Sequence, residues 1–260
     1  MSPLPELLAL LMPVAFVAGA VDAMAGGGGL LTIPAMLAAG IPPVATLATN
    51  KLQAMVGTGS AVATYFRAGK IDLRAFALPA AGAFVGSALG ATAVQHVASD
   101  FLAAVVPLLL LVMAGYYLLA PPMSDADRHA RLGRVGLTAV CAGIGFYDGF
   151  FGPGTGSFLT TALVGLGGLA LVKAIGNTKL INLATNMAAL IAMVAGGQVL
   201  WLLGLGMAVA NVAGNQLGAW AAIRFGGKGV RLLLVVVSLA LTVKLLANPD
   251  NPVWGLLHRL

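Results

Sequence analysis

The sequence predicts an all-α polytopic membrane protein made of two inverted repeats, with eight long transmembrane helices and two short broken or half helices. Three observations predict it. Apolar residues make up 60% of the 260-residue chain and charged residues 8%, against roughly a quarter charged in a soluble domain. The apolar residues fall into runs of spanning length, about 20 residues at about 1.5 Å of rise each. Features of the first half then recur, in order, in the second. A mean hydropathy of +0.98 and 35 glycines agree with helices packed in lipid. They exclude a disordered chain, which needs low hydrophobicity.

The first long run, 4–20, has no basic residue before it and carries Glu6 where a secretory leader would be positive, so it is expected to be a retained helix. Gly26, Gly27, Gly28 and Gly29 follow, and then a short apolar run, 30–39. Long runs at 45–66, 75–94 and 101–120 complete the first half. A polar segment, 121–134, contains Asp125, Asp127, Arg128, His129 and Arg131 and links the halves. The second half begins with the long run 135–147, the turn Gly152-Pro153-Gly154-Thr155-Gly156 and a short run, 157–169. Long runs at 173–194, 199–222 and 232–246 end it. As helices the two short runs cover about 15 to 20 Å of a ~30 Å hydrocarbon core, so they are half-helices. The domains are therefore 1–120 and 135–260, the N- and C-terminal transmembrane repeats, joined by a cytoplasmic linker at 121–134.

Duplication is read from spacing. Asp22 precedes its glycine turn by four residues, as Asp148 precedes Gly152. Lys51-Leu52 recurs 128 residues later as Lys179-Leu180, and Gly82, Gly86 and Gly90 recur at that offset as Ala210, Gly214 and Gly218. These small residues permit close backbone approach between helices. Inversion is read from the basic loops. Arg67, Lys70 and Arg74 lie between the second and third long runs, whereas the equivalent loop, Gly196-Gly197-Gln198, is uncharged and the basic loop with Arg224, Lys228 and Arg231 comes one helix later. Inverted halves need an odd number of crossings each, which gives ten in all and places 67–74, 121–134 and 224–231 in the cytoplasm under the positive-inside rule. If the short runs re-entered instead, 224–231 would lie outside against that rule. A multi-pass protein of the cell (inner) membrane follows.

Ionisable groups in hydrocarbon are costly and are functional candidates by default. Here they are Asp22, Lys51, Asp148 and Lys179, with Lys173 and Lys244 as further candidates. Two roles fit the first four. They can form structural ion pairs, Asp22 with Lys179 and Asp148 with Lys51, that hold the halves together. Alternatively, the glycine turns open helix N-termini whose unpaired amides attract anions, and the two lysines add ammonium groups at mid-depth, where inverted-repeat transporters bind substrate. Thr49, Asn50, Gln53, Asn177, Thr178, Asn182 and Asn186 supply neutral donors nearby, or serve only to bond helices together. Asp22 and Asp148 are candidate proton carriers, because a carboxylate in low dielectric takes up a proton more readily than one in water.

Other residues carry less. Tyr65, Phe66, Tyr116, Tyr117, Trp201 and Trp220 sit near run ends, as interfacial anchors do. Tyr147 either orients Asp148 or is such an anchor. His96 and His129 fall in loops. Asn211, Asn215 and Gln216 bridge helices or face the site. The one cysteine, Cys141, forms no intrachain disulfide, and no Cys/His framework for a metal and no cofactor motif occurs. The net charge of +6 lies in short clusters between apolar runs and signals topology, not nucleic acid. Expected partners are a small anionic substrate and the lipid bilayer; oligomeric state is not set by the sequence.

The segments GAVDAMAGGGGLLTIPAML and LATNKLQAMVG in the first half, with GFYDGFFGPGTGSFLTTALVG and NTKLINLATN in the second, resemble the TauE/SafE family of membrane permeases, the sulfite exporter or TSUP family. The resemblance covers nearly the whole chain. It implies transport of a small sulfur-containing anion, such as sulfite, a sulfonate or a related organosulfur acid, without ATP hydrolysis. Carried over by motif, it assigns Gly26, Gly27, Gly28, Gly29, Lys51, Gly152, Gly154, Thr155, Gly156 and Lys179 to the substrate, to which the polar neighbours Asn50, Asn177 and Asn182 are added. Pro153 and Thr155 stand where the first turn has glycines, so the half-sites need not contribute equally. A cation or metal channel would want carboxylate rings, and the chain has a single glutamate. An intramembrane enzyme would need a nucleophile or metal motif, and neither HExxH nor GxSxG is present.

Overall fold

The computed structural model describes residues 3–119 and 126–225. Within them the chain forms nine helices and no strand: α1 (Leu4–Ala25), α2 (Gly29–Ala38), α3 (Pro43–Arg67), α4 (Leu73–Val94), α5 (Ser99–Leu119), α6 (Arg134–Phe150), α7 (Thr155–Gly165), α8 (Leu171–Ala195) and α9 (Trp201–Phe225). Seven are long, and α2 and α7 have 10 and 11 residues. By length and composition, three of the described helices, α1, α4 and α8, suffice to cross a membrane. The run 232–246, with Lys228, Arg231 and Lys244, lies outside the described residues, as do the linker residues 121–125.

Local chemistry accounts for most boundaries. Pro42 and Pro43 open α3, where a missing amide costs nothing. The Asp72 carboxylate accepts from the Ala75 amide at 2.9 Å and caps α4. Helix α1 runs five residues past the expected end at Ala20 and stops where Gly26 turns left-handed at φ 77°. Asp22 therefore sits in its last turn. Helix α7 begins two residues before the expected 157 and ends four before 169, because the Leu166 and Gly167 amides both turn back to the Ala162 carbonyl.

Burial is inverted relative to a protein in water. Large apolar side chains face outward, with Leu202, Val209 and Val112 each about two-thirds or more exposed. Lys51, Lys179, Asp148 and a run of asparagines are buried. That arrangement suits a lipid surround and a polar interior. The closest packing joins the two halves of the chain. A Cβ on Gly86 or Gly90 of α4 would come within 2.1 Å of the Ala142 or Phe146 carbonyl of α6. On Gly214 or Gly218 of α9 it would come within 2.0 or 2.1 Å of the Phe16 or Ala20 carbonyl of α1. Small residues at these positions let helix backbones touch.

Four expectations change. Tyr65 is fully buried and donates to the Ala23 carbonyl at 2.8 Å, so it ties α3 to α1 and is not an interfacial anchor. Tyr147 donates to the Pro153 carbonyl at 2.6 Å and braces the turn. Lys173 is about half exposed and bonds Asp127, so it is not among the buried charges. Asn177 accepts from the Asp72 amide at 2.9 Å and donates to the Lys173 carbonyl at 2.9 Å, so it latches the α3–α4 loop.

Residues 126–134 strap onto the α7–α8 loop: the Arg128 amide donates to the Gly168 carbonyl at 2.7 Å and the Arg131 amide to Leu166 at 2.9 Å. Asp127 also accepts from the Ala170 amide at 2.7 Å, at the start of α8. The Lys173 hydrogen bond, followed by that of Ala170, holds its carboxyl below the ordinary carboxylate range. A depressed acid stabilises the fold above its unfolded value, and the contribution is lost as pH falls through the folded value. Asp127→Asn is therefore expected to speed amide exchange at Ala170 at neutral pH and to make progressively less difference as pH falls through the depressed value of the Asp127 carboxyl, as hydrogen-exchange mass spectrometry would read.

Candidate functional site

The two glycine turns touch. Gly26 closes α1 and Gly156 lies in the first turn of α7, and a Cβ on either would fall 2.4 Å from the other's Cα. Only glycine permits this crossing. The Ser157 hydroxyl donates to the Ala25 carbonyl across it. Gly152 and Gly154 take φ of 99° and 83°, and the Thr155 hydroxyl folds back onto the Gly152 carbonyl at 2.7 Å. The Gly29 and Gly156 amides, at the starts of α2 and α7, have no acceptor among the described residues.

Asp22 and Asp148 occupy the last turns of α1 and α6, where the helix dipole disfavours negative charge. Each is matched by an ammonium from a long helix of the other half. Lys179 Nζ lies 2.7 Å from Asp22 Oδ2, and Lys51 Nζ lies 2.9 Å from Asp148 Oδ1. The structure therefore contains the two ion pairs that the sequence offered as one of its alternatives. Their environments differ. Asp22 is 17% exposed and its Oδ1 also accepts from the Gly28 amide at 3.3 Å. Asp148 is 2% exposed, and its Oδ2 has no partner among the described residues.

Neutral side chains repeat the correspondence. Thr32 of α2 donates to Asn50 Oδ1 at 2.6 Å, and Thr160 of α7, at the same sequence offset, bonds the Thr178 hydroxyl at 3.2 Å. Gln53 Nε2 also donates to Asn50 Oδ1, at 2.8 Å, which leaves Gln53 Oε1 buried without a donor. Asn186 Nδ2 donates to the Asn182 carbonyl at 2.8 Å.

These groups enclose a cavity of about 30 Å³, room for about two waters. Of the expected residues, Gly26, Gly28, Gly29, Asn50, Lys51, Gly152, Gly154, Thr155, Gly156 and Asn182 line it, together with Asp22 and Asp148. Gly27, Lys179 and Asn177 are not in its wall. Gln53, Asn186 and Asn211 are, although sequence reasoning did not assign them to the substrate. Asn211 arrives from α9 because Gly57 of α3 leaves space for its side chain: a Cβ there would overlap Asn211 Oδ1. The polar residue of one helix facing a glycine of another is a signal visible only once the helices are paired. Among the described residues no group of three or more His, Cys, Asp or Glu is placed to hold a metal.

Comparison with known proteins gives a consistent picture. The family model described as sulfite exporter TauE/SafE matches residues 11–245. A "Probable membrane transporter protein ORF9" from Sinorhizobium sp is 45% identical over 252 residues, 96% of this chain and 97% of its own. "Probable membrane transporter protein YfcA" of Escherichia coli K12 is 42% identical, covering 93% and 90%. A "Probable membrane transporter protein" of Haemophilus influenzae is 41% identical, covering 92% and 94%. No solved structure matches the chain. With a family match over nearly its full length and relatives more than two-fifths identical over the aligned residues, the chain belongs to the sulfite exporter TauE/SafE family, whose name and whose relatives' names indicate a membrane transporter.

Proposed function

We propose that the protein is a multi-pass secondary transporter of the inner membrane that exports a small sulfur-containing anion, such as sulfite, a sulfonate or a related organosulfur acid, by alternating access. One observation carries this: two glycine turns from the two halves meet over a single buried polar cavity. The free amides of Gly29 and Gly156 supply anion-attracting ends, and Lys51 supplies an ammonium in the wall. At about 30 Å³ the cavity does not hold a sulfonate, so on this reading loading requires the helices to part. Because α1 packs on α9 and α6 on α4, the moving units would be those mixed pairs. The matched ion pairs and the Thr32–Asn50 and Thr160–Thr178 bonds support inverted repeats at 1–120 and 135–260, joined by a cytoplasmic linker at 121–134. An inside-negative potential assists outward movement by about 2.3 kcal/mol per 100 mV for each net negative charge carried, anion and any proton together, and Asp22 and Asp148 are the candidate proton carriers. The environment is the lipid bilayer, with no nucleic acid involved.

A second reading, a cation transporter, is favoured by one observation: two buried acceptors in the wall, Gln53 Oε1 and Asp148 Oδ2, lack donors. Proteoliposome flux of sulfite, methanesulfonate, chloride and sodium separates the two. We expect flux of the sulfur anions, reduced about tenfold or more in Lys51→Ala. Sodium flux without anion flux would overturn the anion assignment.

A further inference from the structure

We propose that the two ion pairs are not equivalent: Lys51–Asp148 opens to the substrate, with Asp148 taking up a proton as it does, while Lys179–Asp22 stays closed and ties the halves together. This rests on the anion-transport reading above and assigns unequal roles within that site.

The geometry separates the pairs. Both oxygens of Asp22 are engaged, Oδ2 by Lys179 and Oδ1 by the Gly28 amide, and Lys179 is fully buried outside the cavity wall. Lys51 and Asp148 both line the cavity, and Asp148 Oδ2 is buried with no donor among the described residues. The turn also leaves that pair uncovered. At Gly152 a Cβ would stand 3.0 Å from Lys51 Nζ and 3.4 Å from Asp148 Oδ1, and the glycine holds φ 99°, where other residues are strained. The space a side chain would fill lies directly over the ammonium.

Charge balance then dictates the rest. At rest the charges cancel, Asp22 against Lys179 and Asp148 against Lys51, so an anion that draws Lys51 away leaves Asp148 uncompensated. Other groups facing Asp148 do not neutralise it. From α3 comes Lys51, and from α8 Lys179, which is committed to Asp22. Helix α4 brings Ser87 and Ala91 against Gly149, with Arg74 about 20 Å away along the helix. Helix α7 has no ionisable residue, and on α6 itself the Tyr147 hydroxyl donates to Pro153. When an anion oxygen enters, the Lys51 N–H to Asp148 Oδ1 bond breaks and an N–H to anion bond replaces it. A buried carboxylate stripped of its cation is strongly disfavoured, so Oδ2 takes up a proton supplied by a buffer acid in bulk and relayed by the water that entered with the anion, the conjugate base staying in bulk. The proton leaves again when the anion departs and Lys51 returns. Each anion therefore travels with one proton.

Calorimetry tests this on the purified full chain with methanesulfonate and sulfate, neither of which takes a proton near neutrality. Titrations in two buffers of different ionisation enthalpy count protons. Wild type is expected to take up about one proton per anion bound, Asp127→Asn, which lies outside the cavity wall, to do the same, and Asp148→Asn to bind without uptake. Wild-type binding with no uptake overturns the proposal, whether or not the variants fold, and leaves anion transport standing. Uptake kept in Asp148→Asn overturns it too. No binding of either anion by protein that melts cooperatively overturns both this proposal and the reading on which it rests.

Discussion

Lys179→Ala is expected to destabilise the protein by about 3–5 kcal/mol, the cost of breaking a buried ion pair from one side. Lys179 is fully buried, and its Nζ is 2.7 Å from Asp22 Oδ2. Without it, Asp22 keeps only the 3.3 Å bond from the Gly28 amide and sits at the negative end of the α1 dipole. Shortening the side chain leaves a cavity as well. Thermal unfolding in detergent checks this, with a fall in midpoint of roughly 10 °C expected for a chain of this size. The pair Lys179→Met with Asp22→Asn should recover most of the loss, since two neutral partners of similar volume avoid the buried charge. A single variant that melts within a degree or two of wild type would mean that the pair contributes no net stability.

That prediction starts from residues whose identity and order were plain in the sequence. Two aspartates four residues before glycine turns and two lysines 128 residues apart already named the partners, because charges in hydrocarbon have few ways to be satisfied. Helix positions were equally legible, since apolar runs and glycine or proline boundaries are local signals. What spacing alone did not display was direction. Asn177 and Lys179 are two residues apart on α8, about 200° around the helix. Lys179 and the cavity asparagines Asn182 and Asn186 share a face at steps of three and four. Asn177 therefore points elsewhere and holds the α3–α4 loop. That periodicity was available and outweighs mere proximity in sequence. The burial of Tyr65 against Ala219 and Ala222 and the arrival of Asn211 in the cavity depend on which helices pair, and α3 with α9 is a contact more than a hundred residues apart in the chain. In lipid the polar side is the inside, so a tyrosine near a helix end reads as an anchor until its neighbour is known.

Gly26→Ala is expected to have the largest effect at the site itself, about 2–5 kcal/mol, from two separable causes. Backbone conformation comes first: at φ 77° an alanine loses about 1–2 kcal/mol in the left-handed region. Overlap is added to it, because the new Cβ would lie 2.4 Å from Gly156 Cα, where carbon atoms ordinarily approach no closer than about 3.5 Å. Overpacking of that kind costs about 1–3 kcal/mol and moves backbone. Here the neighbour is backbone too, so neither turn can yield without shifting α2 or α7 and the amides of Gly29 and Gly156. Gly197→Ala supplies the control, since Gly197 has φ 68° and nothing within 4 Å of a Cβ, so it carries the conformational cost alone. The expected result is a melting midpoint well below that of Gly197→Ala, with anion flux down about tenfold or more, each 1.4 kcal/mol at the site being a factor of ten. Equal midpoints for the two variants would show that the turns do not press against each other. In that case the meeting of the two halves at Gly26 and Gly156, from which the cavity takes its shape, would not hold.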